Sequence, residues 1–202
     1  KIVESIQEGT LGFSPSLDIF QLKDHAVDLR VGFTFLVPKV WHITPRGRES
    51  LDFTYFDKAN AEYFDVIELE EGQYFDLLPQ EFVIASTLES LKIPNDLVAI
   101  LYPRSSTNRR GLSLDLAGII NSGYEGQLTI PIRNNTKSQV VRLYPGERVC
   151  QIVFENLSEP ITTEKSKYHK GDIIDGLKRE NKKESKLILE GKIKELKERH
   201  KV

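Results

Sequence analysis

Cysteine occurs once in the 202 residues, at Cys150. One thiol cannot close a disulfide within the chain or supply the paired cysteines of a zinc-dependent nucleobase deaminase, and it fits a reducing compartment. No stretch approaches the roughly 20 apolar residues that span a bilayer, and no cleavable leader is legible, so a soluble, cytoplasmic protein is expected. Net charge is scarce too. Lys+Arg 28 against Asp+Glu 30 leaves a formal −2, which gives no footprint for duplex nucleic acid or an anionic membrane. His25, His42, His169 and His200 are scattered and make no metal-ligand spacing. No internal repeat is present.

What is there suits one sizeable domain with an appendage, with 39% of residues hydrophobic. Ile2, Val3 and Ile6 stand at helical spacing and Gly9 can end a short N-terminal helix. From Val27 the pattern alternates: Val27, Leu29 and Val31 face one way and Asp28 and Arg30 the other, as in a half-buried strand. Residues 38–73 hold Trp41, Phe53, Tyr55, Phe56, Tyr63 and Phe64 without a chemical motif, and read as a long irregular insertion against the domain or a neighbouring subunit. Short strand-like runs follow at 81–86, 97–102, 112–116, 127–133, 139–143 and 147–154, punctuated by Pro, Gly and Asn. Pro131 lies inside one of them and cannot donate to a ladder, which predicts an edge or a bulge there. Residues 172–202 form a charged tail. Leu189, Ile193 and Leu196 are spaced for a thin helical stripe, with Glu190 to Lys194 and Glu195 to Arg199 as i,i+4 pairs and Gly191 as a weak point.

The most informative stretch is 103–126, PRSSTNRRGLSLDLAGIINSGYEG. Arg104, Arg109 and Arg110 bring fixed charge, and Ser105 and Ser106 bring hydroxyl donors beside backbone amides, which together suit a polyphosphate. Gly118, Gly123 and Gly126 bound a hairpin whose backbone can come close to a ligand.

PRSS followed by GIINSGYEG resembles the trimeric dUTPase and dCTP deaminase superfamily in wording and spacing. HAVDLRVG at 25–32 is similar to that family's early SxDLRxG element, and YPGERVCQIVF at 144–154 to its late PGxRIxQxxF element, so the resemblance covers roughly residues 1–170. It implies an all-β, distorted jelly-roll fold over 1–171 with a short N-terminal helix and a charged C-terminal helix, assembled as a homotrimer with shared sites. By the same resemblance Arg104, Ser105, Ser106 and Arg109 grip phosphates, supported by Gln151 and by Lys167 in SKYHKG. Asp28 orders a site arginine or waters on Mg2+, an ion held mainly by the substrate phosphates. Gly118, Ile120 and Asn121 present hairpin backbone to the base, and Tyr124 lies against the deoxyribose.

The chain departs from the pattern at the base. Asn121 stands where family dUTPases carry a water-activating aspartate, and a neutral amide cannot take a proton from water. Pro131 stands where the family's deaminases carry a glutamate, five residues past the second hairpin glycine. The glycine-rich arm RGxGGFGxxG of family dUTPases is absent, and the tail matches neither branch. The sequence alone favours a dUTPase-type hydrolase that binds dUTP or a related deoxypyrimidine triphosphate and is crippled at Asn121. A dCTP deaminase, alone or bifunctional, and a non-catalytic deoxynucleotide-binding or regulatory protein remain as alternatives.

Overall fold

The computed structural model describes residues 2–51, 63–115, 118–161 and 182–199. Helix α1, Ile2–Gln7, packs Ile2 and Ile6 against the core and leaves Val3 exposed. It stops at Gly9, whose φ of +71° is a left-handed value that glycine adopts without strain. Strand β1, Gly12–Ser14, leads to β2, Val27–Pro38. Val27, Leu29 and Val31 are buried as their alternation predicts, but so is Asp28, so β2 is not the half-exposed strand expected. Its other face is covered near Asp28 by Lys23, Arg104 and Arg148.

The insertion after β2 is more regular than its sequence suggests. Strands β3, Trp41–Thr44, and β4, Gly47–Ser50, form an outlying hairpin, with the Arg48 guanidinium 4.6 Å over the Trp41 ring. Strand β5, Phe64–Glu68, then returns to pair with β2, and Phe64 joins Leu36 and Ile84 in a small satellite core. Phe53, Tyr55 and Phe56 lie outside the described residues.

The remaining strands are β6, Phe75–Leu77; β7, Phe82–Lys92; β8, Leu97–Pro103; β9, Leu112–Leu114; β10, Ile119–Ile120; β11, Glu125–Asn134; β12, Val141–Leu143; and β13, Arg148–Asn156. Among the described residues one antiparallel sheet runs β10-β8-β13-β2-β7-β11-β9, with β1 on β7 and β5 on β2, and β12-β6 pair separately. Strand β2 turns the sheet over on itself, pairing with β13 through its first half and with β7 and β5 further on. The inward faces bury Leu29, Phe35, Leu77, Leu91, Ile130, Ile132, Leu143 and Ile152, with the Phe35 and Phe75 rings stacked at 4.6 Å. This is the all-β, jelly-roll-like curl that the punctuated strands imply.

At Gly32 the sheet turns too tightly for any side chain. A Cβ there would collide with Ser86 Oγ and come within 2.8 Å of the Thr87 carbonyl oxygen, so backbone has to move. Gly32→Ala is expected to lower unfolding stability by about 1–3 kcal/mol, read as a shifted urea midpoint at unchanged slope.

Pro131 lies on neither an edge strand nor a bulge. It sits inside β11, between Ile84 of β7 and the end of β9. Its carbonyl accepts from the Asp115 amide at 3.0 Å, so the side of Pro131 that lacks an N–H faces β9. Proline cannot return the second bond, and β9 ends at Leu114.

Among its described residues the tail holds two helices instead of one: α3, Lys182–Leu189, and α4, Ile193–Arg199. Gly191 at φ +70° separates them, with its own amide bonded to Ile188 and that of Lys192 to Leu187. Among the described tail residues Leu187 is buried, while Leu189 and Ile193 are exposed, so the expected stripe does not form. Glu195 pairs with Arg199, but Glu190 meets Lys192 and Lys186 instead of Lys194.

Candidate functional site

Strand β8 ends in Pro103, and the next residues wind into α2, Ser105–Arg109. This turn is tied to β13 at three points. The Arg104 amide donates to the Val149 carbonyl (3.1 Å), the buried Thr107 hydroxyl to the same carbonyl (3.0 Å), and the Arg104 guanidinium to the Arg148 carbonyl (2.9 Å). The Arg104 side chain is thereby held in place while Ser105 and Ser106 stay exposed.

Asp28 is the centre of charge. Its Oδ2 lies 3.2 Å from Arg104 Nε, 3.2 Å from Arg148 Nη1 and 3.9 Å from Lys23 Nζ, and its side chain is only 2% exposed. Three cations around one carboxylate leave an excess of positive charge, which an anion can complete. Behind it, Gln21 donates to the Asp28 carbonyl (3.0 Å) and to Glu89 Oε1 (2.7 Å), while Glu89 Oε2 accepts the Arg30 amide (3.0 Å). Burial pushes the Glu89 carboxyl above the ordinary glutamate range, against the hydrogen bonds it accepts. Cys150 is also fully buried, and burial drives its thiol far above its usual range, so it is no nucleophile.

Beside Asp28 a cavity of about 460 Å³ opens, lined by Leu22, Lys23, Asp24, His25, Asp28, Arg104, Ser105 and Gln151. The structure therefore gathers four of the expected residues: Asp28, Arg104, Ser105 and Gln151. It adds Lys23, Arg148 and His25. Lys23 sits in a loop with no spacing to betray it, and His25 opens the HAVDLRVG element but shares no metal-ligand spacing with the other histidines. Arg148 was legible only as part of the GERVCQ element. Ser106 and Arg109 do not line the cavity, and Arg110 is engaged with Glu147 at 2.9 Å. Lys167 lies outside the described residues.

The 118–126 hairpin, the other stretch expected to bind, lines no part of this cavity. Gly118, φ +81°, accepts the Leu101 amide, and β10 pairs Ile119 with Ile100 and Ile120 with Ala99. The Ile120 side chain is buried in the core, so only its backbone can be offered to a ligand. Asn121 is exposed and its carbonyl accepts the Tyr124 amide at 3.2 Å, while the Ser122 hydroxyl bonds the Leu97 carbonyl at 2.6 Å. Tyr124 packs against the core and turns its hydroxyl to the Gln127 carbonyl at 2.5 Å. Burial pushes that hydroxyl up to about 12, so it stays protonated. Continuing the β10–β8 register sets Asn121 beside Val98, six residues before Arg104. At about 3.3 Å per residue this is roughly 20 Å, so the hairpin tip and the cation cluster stand at opposite ends of β8.

Comparison with known proteins gives the family. The family model described as dCTP deaminase-like matches residues 1–157. A protein of Methanobrevibacter smithii named "dCTP deaminase, dUMP-forming" is 38% identical over 163 residues, 79% of each chain. Proteins of the same name from Dictyoglomus thermophilum and Aquifex aeolicus are 39% and 40% identical, covering 83% and 79% of this chain and 86% and 80% of theirs. A crystal structure of 2'-deoxycytidine 5'-triphosphate deaminase from Agrobacterium tumefaciens superposes with a TM-score of 0.57 at 23% identity. It covers 76% of this chain and 46% of that one, and speaks for the fold. These relatives overturn the expectation of a dUTP diphosphatase, which leaned on a short hairpin motif that both branches share. By the extent of the match to the family model and the identity to these relatives, the chain belongs to the dCTP deaminase-like family.

Proposed function

We propose that this chain binds dCTP and hydrolytically deaminates its cytosine, with the triphosphate at the Arg104 cavity and the nucleoside on the 118–126 hairpin. The observation that carries the polyanion end is the convergence of Arg104, Arg148 and Lys23 on the single buried Asp28 at the mouth of that cavity. The choice of cytosine rests on the names of the relatives. A nucleotide cannot bridge roughly 20 Å within one subunit, which supports a homotrimer in which the hairpin of one copy meets the cation cluster of another. Mg2+ finds no cluster of three His, Cys, Asp or Glu among the described residues, and Asp28 Oδ2 already faces three cations. In this reading the ion would ride on the phosphates and water, where it offsets charge. No described helix is long and apolar enough to cross a membrane.

Specificity for deoxyribose is assigned to the Tyr124 ring and not to its hydroxyl, which is turned away to Gln127. Tyr124→Phe is expected to keep the preference for dCTP over CTP, and Tyr124→Ala to reduce it by at least tenfold, about 1.4 kcal/mol. Calorimetry with both nucleotides measures this directly. Equal binding of dCTP and CTP by the unmodified protein would remove Tyr124 from the role.

A second reading is favoured by two residues: Asn121 and Pro131 are both neutral where the family resemblance places carboxylates. It is a deoxynucleotide-binding protein without turnover. Ammonia released in proportion to dCTP consumed supports the enzyme; tight binding of dCTP with no ammonia supports the binding protein.

A further inference from the structure

The geometry points to Asp115 as the carboxylate that moves protons in the deamination, an inference that rests on the reading of the chain as a dCTP deaminase. Strands β9 and β11 pair Ile132 with Leu114 and Arg133 with Ser113, and the Asp115 amide bonds the Pro131 carbonyl at 3.0 Å. Asp115 is therefore the cross-strand neighbour of Pro131. Side chains of directly opposed residues share a face with their Cβ atoms about 5 Å apart. The burial pattern agrees: Leu112, Leu114, Ile130 and Ile132 point into the core, and Asp115 and Pro131 belong to the outward set.

Proline at 131 has no proton to exchange, and Asn121 has no charged oxygen to accept one. Asp115 restores a carboxylate to the same patch from the adjoining strand. It is exposed, and among the described residues no cation pairs with it. It also stands three residues before Gly118, where the nucleoside-binding hairpin begins, and a chain of three residues reaches at most about 10 Å. Glu125 is the carboxylate at the other end of β11, six strand residues from Pro131, roughly 20 Å.

The step balances without an oxidant or a further reactant. Water attacks C4 of the cytosine, a C–O bond forms as the C4=N3 π pair moves to N3, and one water proton passes through Asp115 to N3. Asp115 then takes the proton of the new C4 hydroxyl and delivers it to the departing amino nitrogen, the C4–N bond breaks, and ammonia leaves as the C4 carbonyl forms. Asp115 returns to its ionised form. The net change is one amine and one water to one carbonyl and one ammonia.

The test uses the full chain with dCTP and reads ammonia release, dCTP affinity and the thermal transition together. Asp115→Asn is expected to lower kcat by about 10²–10⁴-fold with affinity and melting little changed. Adding Pro131→Glu to that variant puts a carboxylate back on the opposed position and is expected to restore at least a tenth of the lost rate. Retention of half or more of the wild-type kcat in Asp115→Asn overturns the assignment while leaving the deaminase reading intact. Binding of dCTP by the wild type without ammonia release overturns both.

Discussion

Asp28→Asn is expected to cost about 2–3 kcal/mol of stability and to make that stability respond to anions. The substitution keeps the shape of the side chain and removes the one negative charge that holds Arg104, Arg148 and Lys23 together. Breaking a buried ion pair from one side typically costs about 3–5 kcal/mol, and the partial exposure of the two arginines places this case below that range. Inorganic tripolyphosphate can replace the missing charge. Its addition should therefore raise the melting temperature of Asp28→Asn by more than that of the wild type, since a ligand bound only by the folded state adds stability in proportion to its binding. A variant as stable as the wild type, or one indifferent to tripolyphosphate, would mean that the three cations do not form an anion site.

Arg104→Ala carries the second large effect, on binding. The guanidinium joins three partners at once: Asp28 through Nε, the Arg148 carbonyl through Nη1, and the cavity that its side chain lines. Loss of a charge-assisted hydrogen bond is worth about 1.5–3 kcal/mol, so dCTP affinity should fall roughly 10- to 150-fold. Arg104→Lys should not rescue it, because one ammonium on a flexible stem cannot span the same fork of partners. The measurement is calorimetric titration of both variants, and recovery of wild-type affinity by lysine would show that charge alone, without the fork, accounts for the site.

The positions of strands were largely legible because alternation and turn residues are local properties. Leu112 to Leu114 and Val141 to Leu143 appear where apolar alternation puts them, within a residue or two. Pairing was not legible, because register is a relation between distant segments, and with it went the meaning of Pro131 and Asp115. A proline reads as a ladder breaker, but only the β9–β11 register shows that it breaks the ladder at the end of β9 and brings Asp115 alongside. Lys23 and His25 were missed for the same reason: their role comes from a loop closing over Asp28. The cavity turn was legible because its charged and hydroxyl side chains are contiguous in Arg104 and Ser105. The hairpin misled at the level of activity, since the wording around Asn121 reads equally as a dUTPase with an altered aspartate, and only similarity along most of the chain separates the branches.

The most direct test of the central claim is a turnover measurement on the full chain with dCTP, CTP and dUTP supplied separately in the presence of Mg2+, following ammonia and separating the nucleotide products. The expected result is ammonia in step with the loss of dCTP, a deaminated deoxyuridine nucleotide as product, and little or no ammonia from CTP. Pyrophosphate released from dUTP with no ammonia from dCTP, or indifference to all three nucleotides, would contradict it.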